Sequence, residues 1–260
     1  MKQIKFLVAF LFAGVLSSCV DTEEKIVLNA DNSGIYSLKL DLGSIMEMAK
    51  TMGGNSNEGK PMEKKDTVVY LKNLIDSATN LTAEEKALYR EGAVGIKLDE
   101  EKNEMKILVS CPFKNAQGLT AVKNNLFALL KKVKAFEKAS GDEPKEDDEM
   151  GAGKLGEGST NPVADQFTFL AAPGAISYTI TNLDAYKNKI ASDSALSSMR
   201  QMSAMMGDLK YRTIFILPKV VKKFDGPGSI VSTDKKTVTF ETTLTEMMEH
   251  PEKVSYKVEY

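Results

Sequence analysis

Four short turn signals, each set between two apolar runs, constrain this chain more than any other feature. Asp31-Asn32-Ser33-Gly34 separates residues 26–29 from 35–40, and residues 99–103 separate 93–98 from 104–112. Pro173-Gly174 separates 167–170 from 175–180, and Asp234-Lys235-Lys236 separates 230–232 from 237–243. Short runs that alternate apolar and polar residues, closed by Gly, Pro, Asn or Asp, read as β-hairpins. Hairpins make antiparallel pairs. In the first one Tyr36, Leu38, Leu40 and Leu42 share one face, the core face, and Ile35 and Lys39 share the other.

Helical patterns fill the spaces between. Ser44 is placed to cap a helix whose stripe is Ile45, Met46, Met48, Ala49 and Met52. Residues 68–79 read as a helix, and Thr82-Ala83-Glu84-Glu85 is a capping box opening another that runs to 91. The longest pattern spans 117–139, with Leu119, Val122, Leu126, Leu129, Leu130, Val133 and Phe136 at steps of three and four. Its polar face carries Lys123, Lys131, Lys134 and Lys138. Shorter helices follow at 182–190, 194–206 and 245–250, and a last strand at 254–258. The sum is an α+β protein, with antiparallel sheets built from hairpins and helices packed mainly on one face.

Residues 140–165 interrupt this order. They hold six acidic residues between Asp142 and Glu149, then Gly151, Gly153, Gly156 and Gly158, without apolar period. The expectation is a flexible linker joining two halves, 26–139 and 166–260, which form either two domains or one.

The start of the chain has a different logic. Lys2 and Lys5 precede an apolar run at 6–15, too short to span a bilayer and of signal-peptide length. Leu16-Ser17-Ser18-Cys19 closes it as a lipobox, so residues 1–18 are expected to be removed and Cys19 to be acylated, with palmitate-type chains. Residues 19–25, with Asp21, Glu23 and Glu24, then read as an acidic tether. Two or more acyl chains hold a protein stably on a membrane. The expected location is the cell envelope, lipid-anchored in the outer membrane.

Composition excludes more than it assigns. The net charge of −2 becomes −4 once Lys2 and Lys5 leave with the signal, and no basic patch suits nucleic acid. With Cys19 acylated, Cys111 is the one remaining thiol of the two cysteines, and it reads as a small buried hydrophobe. The single His, His250, sits in Glu249-His250-Pro251 as a solvated turn residue. Gly151-Ala152-Gly153-Lys154-Leu155-Gly156 fails as a phosphate loop: an acidic run precedes it, and Leu155 stands where a metal-binding hydroxyl belongs. Met199, Met202, Met205 and Met206 share a helical face that could offer thioethers to Cu(I), but Met46, Met48 and Met52 do the same earlier. Core filling explains both. No catalytic residue, metal site or cofactor is expected.

The residues Asp31-Asn32-Ser33-Gly34-Ile35-Tyr36, the segment 80–86, and the tail from Leu217-Pro218-Lys219-Val220-Val221 to Asp234-Lys235-Lys236-Thr237-Val238-Thr239 together resemble an uncharacterised lipoprotein family of Bacteroides-type bacteria. The tail alone is similar to LppM-type lipoprotein domains, with Phe240 where those carry Trp. The first resemblance implies no activity; the second implies binding of envelope lipids and transfers no site residue. Asp66-Thr67-Val68, Asp76-Ser77-Ala78 and Asp193-Ser194-Ala195 resemble the Asp-Ser/Thr-apolar acceptor of Bacteroides-type O-glycosylation, on Thr67, Ser77 and Ser194. The functional expectation is a non-enzymatic module that binds an envelope lipid, glycan or protein. The alternatives are a structural or chaperone-like subunit of an outer-membrane complex and, more remotely, a hydrolase built on paired carboxylates.

Overall fold

The computed structural model describes residues 22–44, 46–47, 64–140, 166–193, 197, 200, 203 and 207–260. Twelve strands among them form two sheets, confirming the α+β class. The strands are β1 (Thr22–Leu28), β2 (Gly34–Asp41), β3 (Lys65–Tyr70), β4 (Ala93–Asp99), β5 (Glu104–Phe113), β6 (Phe167–Ala172), β7 (Ala175–Ile180), β8 (Lys210–Ile216), β9 (Lys223–Asp225), β10 (Ile230–Val231), β11 (Thr237–Thr243) and β12 (Tyr256–Glu259). The helices are α1 (Leu71–Ser77), α2 (Ala83–Tyr89), α3 (Ala116–Lys132), α4 (Ala135–Ser140), α5 (Leu183–Ser192) and α6 (Leu244–Glu249).

The large sheet has the order β10-β11-β8-β1-β2-β5-β4-β3, and the small one β6-β7-β12-β9. Both halves of the chain therefore contribute to one sheet. The seam is the parallel pairing of β1 with β8, where Ile26 faces Phe215; the other pairings are antiparallel. All four expected hairpins form. Two of their turns work alike: the Asp31 carboxylate accepts from the Ser33 amide and Asp234 from the Lys236 amide, with Asn32 and Lys235 between them in the left-handed region. At Pro173-Gly174 the glycine supplies a φ of +82°.

Register assigns the faces. One row across the large sheet reads Cys111, Tyr36, Ile26, Phe215, Val238, and the next reads Val109, Leu38, Glu24, Thr213, Phe240. These face the core. The helices α2, α3 and α4 cover one part of that face, and the small sheet covers another. Helix α3 lies between the sheets and binds both. Its Thr120 hydroxyl accepts from the Ala171 amide of β6, and its Asn124 amide donates to the Phe169 carbonyl. Its expected stripe is buried throughout, from Leu119 to Leu130.

Five expectations change. Strand β1 begins at Thr22, not 26, so residues 22–25 belong to a central strand rather than to a tether. Residues 68–70 extend β3 instead of opening a helix. Thr67-Val68-Val69-Tyr70 is β-branched and aromatic, and it pairs along β4. The long helix breaks after Lys132, where Lys134 adopts φ +52°, and resumes as α4. Residues 224–225, read as a turn, belong to β9, which pairs with β12. Gly43 and Ser44 are already helical, with the Met46 amide bonded to the Leu42 carbonyl, so Ser44 does not cap the first helix.

Candidate functional site

The alternation of β1 puts Thr22, Glu24, Ile26 and Leu28 on the core face, so a carboxylate enters the interior between Leu38 and Thr213. Burying a charge is costly unless it is paired and hydrogen-bonded. Here three groups converge on it. Lys123 of α3 forms an ion pair with Glu24 Oε1, with side-chain exposures of 15% and 13%. The Tyr36 hydroxyl donates to the same oxygen at 2.9 Å, and the Thr213 hydroxyl reaches Oε2 at 3.4 Å. The Lys123 ammonium also lies 5.5 Å from the centre of the Tyr178 ring.

An aromatic column forms the wall opposite. Tyr256 of β12 stacks on Phe240 of β11 at 4.7 Å and on Tyr178 of β7 at 5.2 Å; Tyr178 stacks on Phe167 at 4.6 Å. The column ties the small sheet to the large one, each contact adding about 0.5–1.5 kcal/mol beyond burial. Gly226 lies flat against it: a Cβ there would stand 2.6 Å from Tyr256 and 2.7 Å from Phe240. One group in the column is unsatisfied. Tyr256 is 6% exposed, yet its hydroxyl makes no hydrogen bond of good geometry, although the Thr213 hydroxyl is near enough to ease its ionisation and Glu24 near enough to oppose it. Burial pushes the ionisation of Tyr36 and Tyr256 well above the usual phenol range, and the nearby Glu24 adds to this.

Between these walls lies a cavity of about 60 Å³, bounded by Glu24, Lys123, Tyr178, Thr213, Phe240 and Tyr256 and reaching Thr22, Tyr211 and Thr242 at its outer end. A second hollow of about 240 Å³ lies at the same end of the sheet; it shares Tyr211, Arg212, Glu241 and Thr242 with the cavity, but four of its residues, Lys210, Arg212, Glu241 and Thr243, belong to the outward face. Arg212 fixes the rim, its Nε 2.7 Å from Glu241 and its Nη1 3.7 Å from Glu23. Glu24 and Glu241 both border the cavity, but they stand on opposite faces of the sheet, and each is engaged by a cation. The arrangement offers a hydroxyl that can donate or accept, a paired carboxylate and ammonium, and ring walls: a place to hold a small polar group.

The residues proposed from sequence lie elsewhere. Cys19, Ser194 and the methionines 199, 202, 205 and 206 are outside the described residues. Thr67 sits half-buried on the edge strand β3. Ser77 is exposed at the end of α1, its hydroxyl donating to the Asn73 carbonyl, and the preceding Asp76 is held by Arg90 at 2.7 and 2.9 Å. Cys111 is fully buried, and burial pushes its thiol up to about 12. His250 is an exposed residue beside Glu252 at 3.6 Å.

Sequence reading placed Glu24 in a tether and Lys123 on a solvent face. The signals that identify them are simple. Glu24 has the parity of Ile26 and Leu28, and Lys123 is four residues after the buried Leu119. The orphan state of Tyr256 has no sequence signal, because it depends on how the two sheets meet. No protein-family model, curated protein or solved structure matches the chain.

Proposed function

We propose that this protein is a lipid-anchored binding protein of the cell envelope, that it is not an enzyme, and that its ligand occupies the cleft between the two sheets. One observation carries the reading: the buried Tyr256 hydroxyl has no partner and borders a cavity that also holds the Glu24–Lys123 pair. Buried polar groups are normally satisfied, so a hydroxyl left open at a cavity wall is placed to take its partner from the cavity. The anchor is acylated Cys19, in keeping with the lipobox and with the resemblance to envelope lipoproteins. The ligand is an envelope lipid or glycan. Native mass spectrometry of protein extracted from its own membranes tests both parts. The expected result is an acyl-bearing Cys19 and a small-molecule adduct that Tyr256→Phe loses. A bare chain without adduct would contradict the reading.

A second reading is a subunit of an outer-membrane complex. It is favoured by the outward face of the large sheet, where Ile35, Leu108, Val68 and Tyr70 are 45–74% exposed. A photocrosslinking residue at Tyr70, in cells, would capture one stoichiometric protein on that reading and none on the first.

A further inference from the structure

We propose that the chain rests on the bilayer by the Thr22/Lys210/Thr243 end of its large sheet, so that the cleft opens onto the lipid surface and takes the neutral, hydroxyl-bearing head of a membrane amphiphile. This deepens the binding reading and rests on acylation of Cys19.

The argument begins with the length of the connection. Strand β1 starts at Thr22, and only Val20 and Asp21 separate it from Cys19. Three Cα–Cα steps span at most about 11 Å. That is little more than the polar layer of one leaflet, roughly 5–8 Å by the difference between total and hydrocarbon thickness. With an acidic tether of seven residues the domain would swing freely; with two intervening residues it cannot. β1 is an interior strand of an eight-stranded sheet, so the sheet end at which it starts must lie against the lipid.

The same end holds the cleft mouth. β8 runs parallel to β1, with Thr22 opposite Tyr211, and β11 ends there with Thr242 opposite Tyr211 and Thr243 opposite Lys210. Thr22, Tyr211 and Thr242, core-facing residues at that end of their strands, line the inner cavity, and Lys210 and Thr243 stand beside them on the outward face. The cavity therefore reaches the sheet end that follows Cys19.

The lining selects the head. At the inner end the Lys123 charge is matched by Glu24, so an anionic phosphate meets no net attraction. A hydroxyl meets both a donor and an acceptor, and it satisfies Tyr256. The inner cavity of about 60 Å³ admits one such group, and the ring or glycerol that carries it stays at the mouth. The acyl chains of the ligand stay in the membrane.

The test uses the full acylated chain in phosphatidylethanolamine–phosphatidylglycerol vesicles. The protein has no Trp, so Lys210→Trp and Lys236→Trp each place one reporter, at the mouth and at the opposite end of β11. With brominated phospholipid, the reporter at 210 should be strongly quenched and that at 236 unaffected. Quenching at 236, or at neither, with an acyl mass present on Cys19 overturns the orientation. Absence of the acyl mass overturns the anchor beneath it, and mass spectrometry of the same sample tells the two failures apart. Adding monoglucosyl diacylglycerol should raise the melting midpoint of the wild-type chain, and Tyr256→Phe should bind it at least tenfold more weakly. An equal rise from the same amount of added phosphatidylglycerol, or an unchanged response in Tyr256→Phe, rejects the head-group assignment.

Discussion

Two neighbouring rows on the core face of the large sheet differ sharply. In one, Cys111, Tyr36, Ile26, Phe215 and Val238 are all at most 2% exposed. Two residues along the same strands, the row Val109, Leu38, Glu24, Thr213, Phe240 carries a carboxylate and a hydroxyl beside a cavity. Strand, period and face are the same. What differs is the cover. The second row lies where α3 and the small sheet meet, and there Lys123 from the helix and Tyr256 from the sheet approach without closing the gap. A period of two decides which way a side chain points; the seam above it decides whether that place is dry.

The comparison can be broken from the dry side first. Phe215→Ala removes a fully buried ring that contacts both Phe240 and Tyr256, and it should cost about 3–5 kcal/mol, seen as a lower urea midpoint. On the polar side, Glu24→Leu leaves the Lys123 ammonium facing apolar walls. A loss of about 2–3 kcal/mol is expected, under the roughly 3–5 of a fully buried pair because both side chains keep some exposure. The double variant Glu24→Leu/Lys123→Met should recover most of that loss. If it is as unstable as the sum of the two single variants, the pair is not the reason the carboxylate is tolerated.

Alkaline pH presses on both rows at once. Tyr36, Tyr256, Tyr89 and Tyr186 have phenols raised by burial in the folded chain, against about 10 in the unfolded chain. A raised folded value means that the unfolded chain releases its protons first. The stabilisation is thus complete below pH 10 or so and falls as pH rises towards the folded values. Phenolate absorbance should appear together with loss of circular dichroism; phenolate formation well before unfolding would show the rings to be accessible. A smaller effect concerns Cys111. With its thiol at about 12, native protein should resist iodoacetamide at pH 8 and react once unfolded, and rapid native labelling would place Cys111 outside the dry row.

Much of the fold was legible because its signals are local. The turn residues at 31–34, 173–174 and 234–236, the capping box Thr82/Glu85 and the α3 stripe each act within a few residues, and each stands as read. A second capping box, Thr243 with Glu246, was equally readable and went unread. The failures are of two kinds. The break at Lys134 carries no glycine or proline to announce it. The parallel seam between β1 and β8, nearly two hundred residues apart in the chain, has no local signal at all. The candidate site depends on that seam, which brings Thr213 beside Glu24, and on the meeting of the two sheets, which sets Tyr256 on Phe240. Its parts were visible by parity, and their meeting was not.

Tyr256 tests the central claim, that the gap between the two sheets is a binding site and not an imperfection of packing. A buried hydroxyl without a partner costs about 1–3 kcal/mol, so deleting it should not weaken the fold. Thermal unfolding of Tyr256→Phe beside the wild type, each with and without monoglucosyl diacylglycerol in the vesicles, gives both readouts at once. The expected outcome is a variant as stable as the wild type or about 1 kcal/mol more so, and without the glycolipid-induced rise. A less stable variant that keeps the rise would show the hydroxyl to be part of the scaffold and would contradict the account.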